Sequence, residues 1–212
     1  MKKLGLIGLG IFAVWLSSCS VAKQIDMAKT FAKCDFSVQN IEHMQLADIK
    51  IQNVKSAKDL SLKKAAQLTD ALTKKTLPLT FTINLSVENP NEKPAGMNRL
   101  EWIVLIDNNE IVRGALDQIV EILPDSDATV PLNIEMDLKK SFSNESAESL
   151  VKLAFNLAGE GDKPTRITVK VKPTINVAGL NIEYPGYIDV HTKINSEQGK
   201  QLRKKAAKKA KK

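Results

Sequence analysis

Histidine and cysteine are scarce in this chain, two of each, and the scarcity bears on which chemistries it can host. Cys19 closes a leader-like stretch, which leaves Cys34 as the only cysteine of the body. No intramolecular disulfide is then available, even in a compartment that permits one. Cys34 has no second thiol to resolve an oxidised form and no histidine following close by, so it reads as a small buried or linker thiol. His43 falls in the first strand region. His191 lies on the polar side of the last strand with Asp189 and Lys193, where a solvated-surface role outweighs acid–base work. The chain also lacks a serine in a nucleophile-elbow context, a glycine-rich phosphate loop and a Cys/His or Asp/Glu cluster at metal-ligand spacing. Asp125 and Asp127 flank one turn, and two carboxylates without further oxygen ligands make a poor calcium site. The expectation is a protein that is not an enzyme and uses no cofactor and no metal.

A long apolar run is missing too. Lys2 and Lys3 precede a 13-residue stretch of glycine and apolar residues over 4–16, too short for a comfortable membrane span and of the right form for an export signal. It ends in Leu16-Ser17-Ser18-Cys19, which resembles the lipobox of bacterial lipoproteins. In that pattern the cysteine thiol takes a diacylglyceryl group and becomes the new amino terminus. The resemblance makes Cys19 the lipidation site and 1–18 the signal. Ser20, where an aspartate would favour retention at the inner membrane, implies transport to an outer membrane, on its periplasmic or surface face.

Acidic residues are absent from one segment. Residues 200–212 hold eight basic residues (Lys200, Arg203, Lys204, Lys205, Lys208, Lys209, Lys211 and Lys212) and no Asp or Glu. Setting these eight and the two leader lysines aside from the 31 basic residues leaves 21 against 24 acidic ones, a net of −3 for the body. The formal +7 of the whole chain is therefore a property of its tail. A block of like charge cannot bury a core, so 198–212 reads as a disordered basic tail. Its chemistry suits an anionic surface: lipid headgroups, cell-wall polymer or glycan. Nucleic acid would suit it equally, but an exported protein is not expected to meet nucleic acid.

What the chain does have is alternation. From Leu79 to Val87 every odd residue is apolar and every even one polar, the period of a strand with one buried face. The run stops at Glu88-Asn89-Pro90-Asn91, where proline removes a ladder donor and asparagine closes turns on its own backbone. Leu100, Trp102, Val104 and Ile106 share a face of the next strand. Its other face is apolar at Ile103 and Leu105, which calls for a cover. Asp107-Asn108-Asn109-Glu110 reads as a hairpin turn, and the return strand runs from Glu110 to Gly114. Alternation resumes at Val130, Leu132, Ile134, Met136 and Leu138, then at Ile167, Val169, Val171, Ile175 and Val177, and ends with Ile188, Val190 and Ile194. Phe36, Val38, Leu46, Ile49 and Ile51 mark broken strands at the start.

Two segments change to a helical period. Over 59–75, Leu62, Ala65, Leu68 and Leu72 fall three and four apart. Over 143–159, Ser143-Asn144-Glu145 offers an N-cap, Ala147, Leu150, Val151, Ala154 and Leu157 make a stripe, and Gly159 stops the helix. This second helix is the expected cover for the sheet's second face. The sum is a mainly β protein, an antiparallel β-sandwich of about seven strands with two accessory amphipathic helices. Residues 19–34 form a lipidated tether with some helical character, and 35–197 form one domain. The 194 residues left after 1–18 can bury about 70% of their unfolded surface.

Val87-Glu88-Asn89-Pro90-Asn91, followed by Leu100-Glu101-Trp102, Asn108-Asn109-Glu110, Arg113-Gly114 and Thr129-Val130-Pro131-Leu132, resembles the type 2 late-embryogenesis-abundant (LEA type 2) domain. That domain is also called the water-stress and hypersensitive-response (WHy) domain. The resemblance covers roughly residues 35–140 and is anchored by Asn89, Pro90 and Asn91. It implies a fibronectin-III-like sandwich, no catalytic residues, and a binding or protective role connected with stress or desiccation. The alternative it leaves open is a lipid-binding or lipid-transfer module that holds an acyl chain between sheet and helix.

Overall fold

The structure is a computed structural model that describes residues 22–52, 54, 56–160, 164–177 and 180–194. It is mainly antiparallel β, with nine strands in two sheets. The strands are β1 (Asp35–Leu46), β2 (Ile49–Lys50), β3 (Pro78–Asn89), β4 (Ala95–Ile106), β5 (Asn109–Ile122), β6 (Ser126–Asp137), β7 (Thr165–Val177), β8 (Leu180–Glu183) and β9 (Ile188–Ile194). The first sheet runs β2-β1-β3-β6. The second runs β5-β4-β7, with both β8 and β9 on the far edge of β7. Residues 22–31 form a helix, α1. Beyond it lie α2 (Leu62–Thr73), α3 (Leu138–Ser141) and α4 (Ala147–Leu157).

The inner faces follow from the alternation. Leu79, Phe81, Ile83, Leu85 and Val87 of β3 are buried beside Val130, Leu132, Ile134 and Met136 of β6. Leu100, Trp102, Val104 and Ile106 of β4 stand beside Val171, Val169 and Ile167 of β7. All join one continuous apolar core. Prolines obey the ladder: Pro78 opens β3, and Pro131 sits on β6, which pairs on one side only. Pro173 is the instructive one. Its carbonyl accepts from the Tyr184 amide at 3.0 Å. A strand residue's N–H and C=O point to the same edge, so the N–H that Pro173 lacks is missing from that edge. There the partner strand breaks, with β8 pairing to Thr174–Val177 and β9 to Thr165–Val171.

The count of nine strands against about seven comes from β2 and β8. One has two residues; the other has four, a short alternation lying between Gly179 and Pro185, which read as a turn. Bulges hide other phases. β1 is a single strand with register shifts between Val38 and Asn40 and between Glu42 and Gln45, and His43 takes φ 58° within the second. β5 does not end near Gly114 but runs 14 residues to Ile122. One extra residue between Asp117 and Val120 turns Ile119 outward while Val120 and Ile122 point inward. The β4–β5 turn is two residues, Asp107 and Asn108, at φ 48° and 71°.

The helices differ more. Ser146, not Ser143, caps α4: its hydroxyl accepts from the Ser149 amide at 3.2 Å. Gly159 takes φ 73°, and the Gly159→Asn156 and Glu160→Phe155 bonds close the helix as a Schellman motif. The five buried side chains of α4 join the apolar core, a cluster that does not include Ile103 or Leu105, so α4 is not the cover for that second face. Ile103 and Leu105 are instead half-buried among their strand neighbours, Arg113 and Lys170 for the first, Glu110 and Thr168 for the second. In α2, Leu68 and Ala71 are buried and Leu62, in the first turn, is exposed. Residues 22–34, read as a tether, pack on the domain: Thr30, Phe31 and Cys34 are buried, and the Phe31 and Phe36 rings meet edge-on at 5.5 Å. The expected signal, the lipidation site at Cys19 and the tail residues Lys200, Arg203, Lys204, Lys205, Lys208, Lys209, Lys211 and Lys212 lie outside the described residues.

Candidate functional site

Asn89, the last residue of β3, is fully buried and organises the corner that follows. Its Nδ2 faces the carbonyls of Lys93, Ile122 and Leu123 at 2.9, 3.0 and 3.2 Å. Its Oδ1 accepts from the Asn91 amide at 3.1 Å and from Asn91 Nδ2 at 2.9 Å. Three carbonyls on one side and two donors on the other assign the amide orientation and explain why asparagine stands there. The first of the Asn91 bonds is an Asx turn, in which Pro90 supplies the fixed φ. The Asn89 carbonyl also accepts from the Asp125 amide at 3.0 Å. One side chain thus ties the end of β3, the corner and the β5–β6 turn together, which is a structural task.

The outer face of the second sheet carries a ladder of ion pairs. Arg99 and Glu101 project from β4, Lys170 and Lys172 from β7, Glu183 from β8 and Asp189 from β9. Cross-strand register brings them into contact: Arg99–Asp117 at 2.5 Å, Lys172–Glu183 at 2.6 Å, Lys172–Glu101 at 3.3 Å and Lys170–Asp189 at 3.2 Å. The hydrogen bond to Glu183, and then the bond and charge of Glu101, hold the Lys172 ammonium above its ordinary pKa against partial burial. Its Nζ stands 5.4 Å from the centre of the Tyr187 ring. Solvent-screened pairs of this kind add little to stability, so the ladder chiefly fixes the register of β8 and β9. The outer face of the first sheet is different, a patch of amides and hydroxyls. There Asn84 Nδ2 reaches Asn40 Oδ1 and Glu42 Oε1, both at 2.7 Å, and Thr82 donates to Asn133 at 3.0 Å.

The residues weighed for chemistry are held apart. His191 Nδ1 lies 3.0 Å from the Thr168 hydroxyl while Asp189 pairs with Lys170, so the two do not form a dyad. His43 is exposed, 3.9 Å from Glu42. Asp125 occupies a turn at φ 52°. Burial, then the neighbouring Asp35 charge, push the Cys34 thiol up to about 11, and the thiol faces the Thr30 carbonyl at 3.5 Å. Among the described residues no group of three or more His, Cys, Asp or Glu is placed to hold a metal ion. None of the described helices is long and apolar enough to cross a membrane.

No protein-family model matches this chain. No curated protein matches it either. Solved structures resemble it distantly. A protein from Archaeoglobus fulgidus is 14% identical with a TM-score of 0.33, over 57% of this chain and 87% of that one. An Arabidopsis thaliana protein is 13% identical with a TM-score of 0.36, over 55% and 70%. A candidate late embryogenesis abundant (LEA) protein is 10% identical with a TM-score of 0.35, over 87% and 88%. At this distance the likenesses carry no functional argument, and the architecture stands on its own registers.

One surface escaped the sequence reading. Leu180, Ile182, Tyr184 and Tyr187, on β8 and the turn after it, are exposed in whole or large part. The available signal was the short alternation of Leu180, Ile182 and Tyr184 with Asn181 and Glu183, bounded by Gly179 and Pro185, which read as turn rather than strand.

Proposed function

We propose that this protein is a non-catalytic, lipid-anchored component of a bacterial cell envelope whose LEA type 2-like sandwich binds or protects other envelope components. Leu16-Ser17-Ser18-Cys19, after a basic and then apolar stretch, is the observation that carries the reading. A triacylated Cys19 would anchor stably, because each buried methylene contributes about 0.8 kcal/mol and two or more chains hold where one does not. Ser20 favours an outer membrane. The Asn89-Pro90-Asn91 corner, the feature behind the family resemblance, performs a structural task, which accords with a protective or binding role. Radiolabelled palmitate should enter the full-length protein, and Cys19→Ala should leave an unlabelled product that fractionates differently. Equal labelling of the two would sink the lipoprotein reading.

A further inference from the structure

We propose that the end of the sandwich bearing α1 faces the bilayer, with Leu180 and Ile182 of β8 and Leu123 of the β5–β6 turn entering a zwitterionic lipid interface. This orientation rests on the reading of Cys19 as the anchor. Its structural basis is separate. The α1 helix lies at one end of the molecule: Met27 Cε stands 2.8 Å from where a side chain on Gly96, near the start of β4, would begin. Lys93, in the corner after β3, stands 3.9 Å from Asp26 of α1. The start of β4, the end of β5 and the Asn89 corner therefore belong to the α1 end. The register Arg99 to Thr174 to Glu183 brings the end of β7, and β8 with it, to that same end.

Reach follows from chain geometry. Residue 22 lies five helical residues before Met27, about 8 Å, and Cys19 is three residues earlier, at most about 10 Å when extended. Acyl chains on Cys19 would enter a membrane within that distance of the α1 end.

The exposed apolar side chains are distributed to match. Leu180 is 71% exposed, Leu123 60% and Ile119 78%, with Ile182 and Tyr184 also open, and all belong to the α1 half of the sandwich. Leu62, 92% exposed, stands alone on α2, which leads into the opposite end at the start of β3. Single exposed leucines are ordinary; their gathering at the end that would carry the anchor is not. Leu123 and Leu180 follow β5 and extend β8, the two edges of one sheet. About three interstrand spacings, roughly 14 Å, separate those edges, so both side chains can meet one plane laid across the end. Tyr184, just after β8, adds the ring-and-hydroxyl chemistry that suits a lipid interface, whereas the Tyr187 ring lies over Lys172 at the level of Glu101, away from this contact. Asp26, Glu88, Glu92 and Asp125 at the same end are set against Lys23, Lys29, Lys33 and Lys93, so this end offers no excess of either charge to a headgroup and the contact is apolar.

The test uses the full-length chain, acylated in cells and reconstituted in phosphatidylcholine vesicles, with an environment-sensitive fluorophore on Leu180→Cys, Leu123→Cys or Leu62→Cys. Buried Cys34 stays unlabelled, and the emission of buried Trp102 reports that each variant is folded. The probes at 180 and 123 are expected to shift to the blue on reconstitution, equally at low and high salt, while the probe at 62 keeps its aqueous emission. Acylated protein that floats with vesicles while the probes at 180 and 123 stay as wet as that at 62 overturns the orientation alone. A mass showing no acyl group on Cys19 overturns the anchor and this orientation with it.

Discussion

Asn89→Ala removes the donors from three inward-facing carbonyls, and Asn89→Asp replaces them with a carboxylate oxygen pointing at the same carbonyls. Leaving buried acceptors unmet costs about 1–3 kcal/mol, more when a charge is involved. Denaturant unfolding at neutral pH should therefore rank wild type above Asn89→Ala and that above Asn89→Asp. An aspartate variant as stable as wild type would contradict the assigned amide orientation. Cys34 makes a second residue-scale prediction. With its pKa moved from 9.0 to about 11, its thiolate fraction at pH 8 falls about a hundredfold, and burial slows attack further. Alkylation of the native protein should be slower than that of the denatured chain by at least that factor. The same shift implies stability that is intact below pH 9 and declines as pH rises towards 11, because the unfolded thiol ionises first. The sequence allowed Cys34 to be read as a quiet thiol, with Thr30 and Asp35 as its local neighbours; its burial came from α1 packing against β1.

At the scale of elements, caps separate the two longer described helices after α1. Ser146→Ala should cost about 1 kcal/mol, the usual loss at an N-cap. Ser61→Ala should cost less, since its hydroxyl reaches the Lys64 amide only at 3.4 Å and α2 buries two residues where α4 buries five. Chemical denaturation of the two variants checks the order. Elements with unbroken alternation, β3, β6 and β7, were legible in the sequence. Those that escaped it were shifted by bulges, as in β1 and β5, or were short, β2 with two residues and β8 with four between Gly179 and Pro185. The placement of Ser146 at the cap, three residues after the expected one, reflects the α3 turn and the Phe142 carbonyl, which accepts from Glu145 and holds 142–145 out of the helix.

For the whole molecule, the basic tail and the apolar end make different demands on a membrane. Residues 20–212 should co-sediment with anionic vesicles at low salt more than residues 20–199, and the difference should vanish near physiological salt, where charges act over about 8 Å. Each basic residue near such a surface contributes about 1 kcal/mol. Equal sedimentation of the two chains would leave the tail without this role. The charge split that motivates the test, the anchor pattern at Cys19 and the mainly β character all follow from the sequence alone, because composition, short motifs and a period of two are local properties. Tertiary structure alone decided that Asn89 joins three chain segments, that Pro173 divides the edge strand, and that α4 fills the core while Ile103 and Leu105 shelter among their neighbours. It also decided that Leu123 and Leu180, 57 residues apart in the chain, stand at one end with α1. These are relations between residues distant in sequence, set by register and bulges that no local pattern encodes.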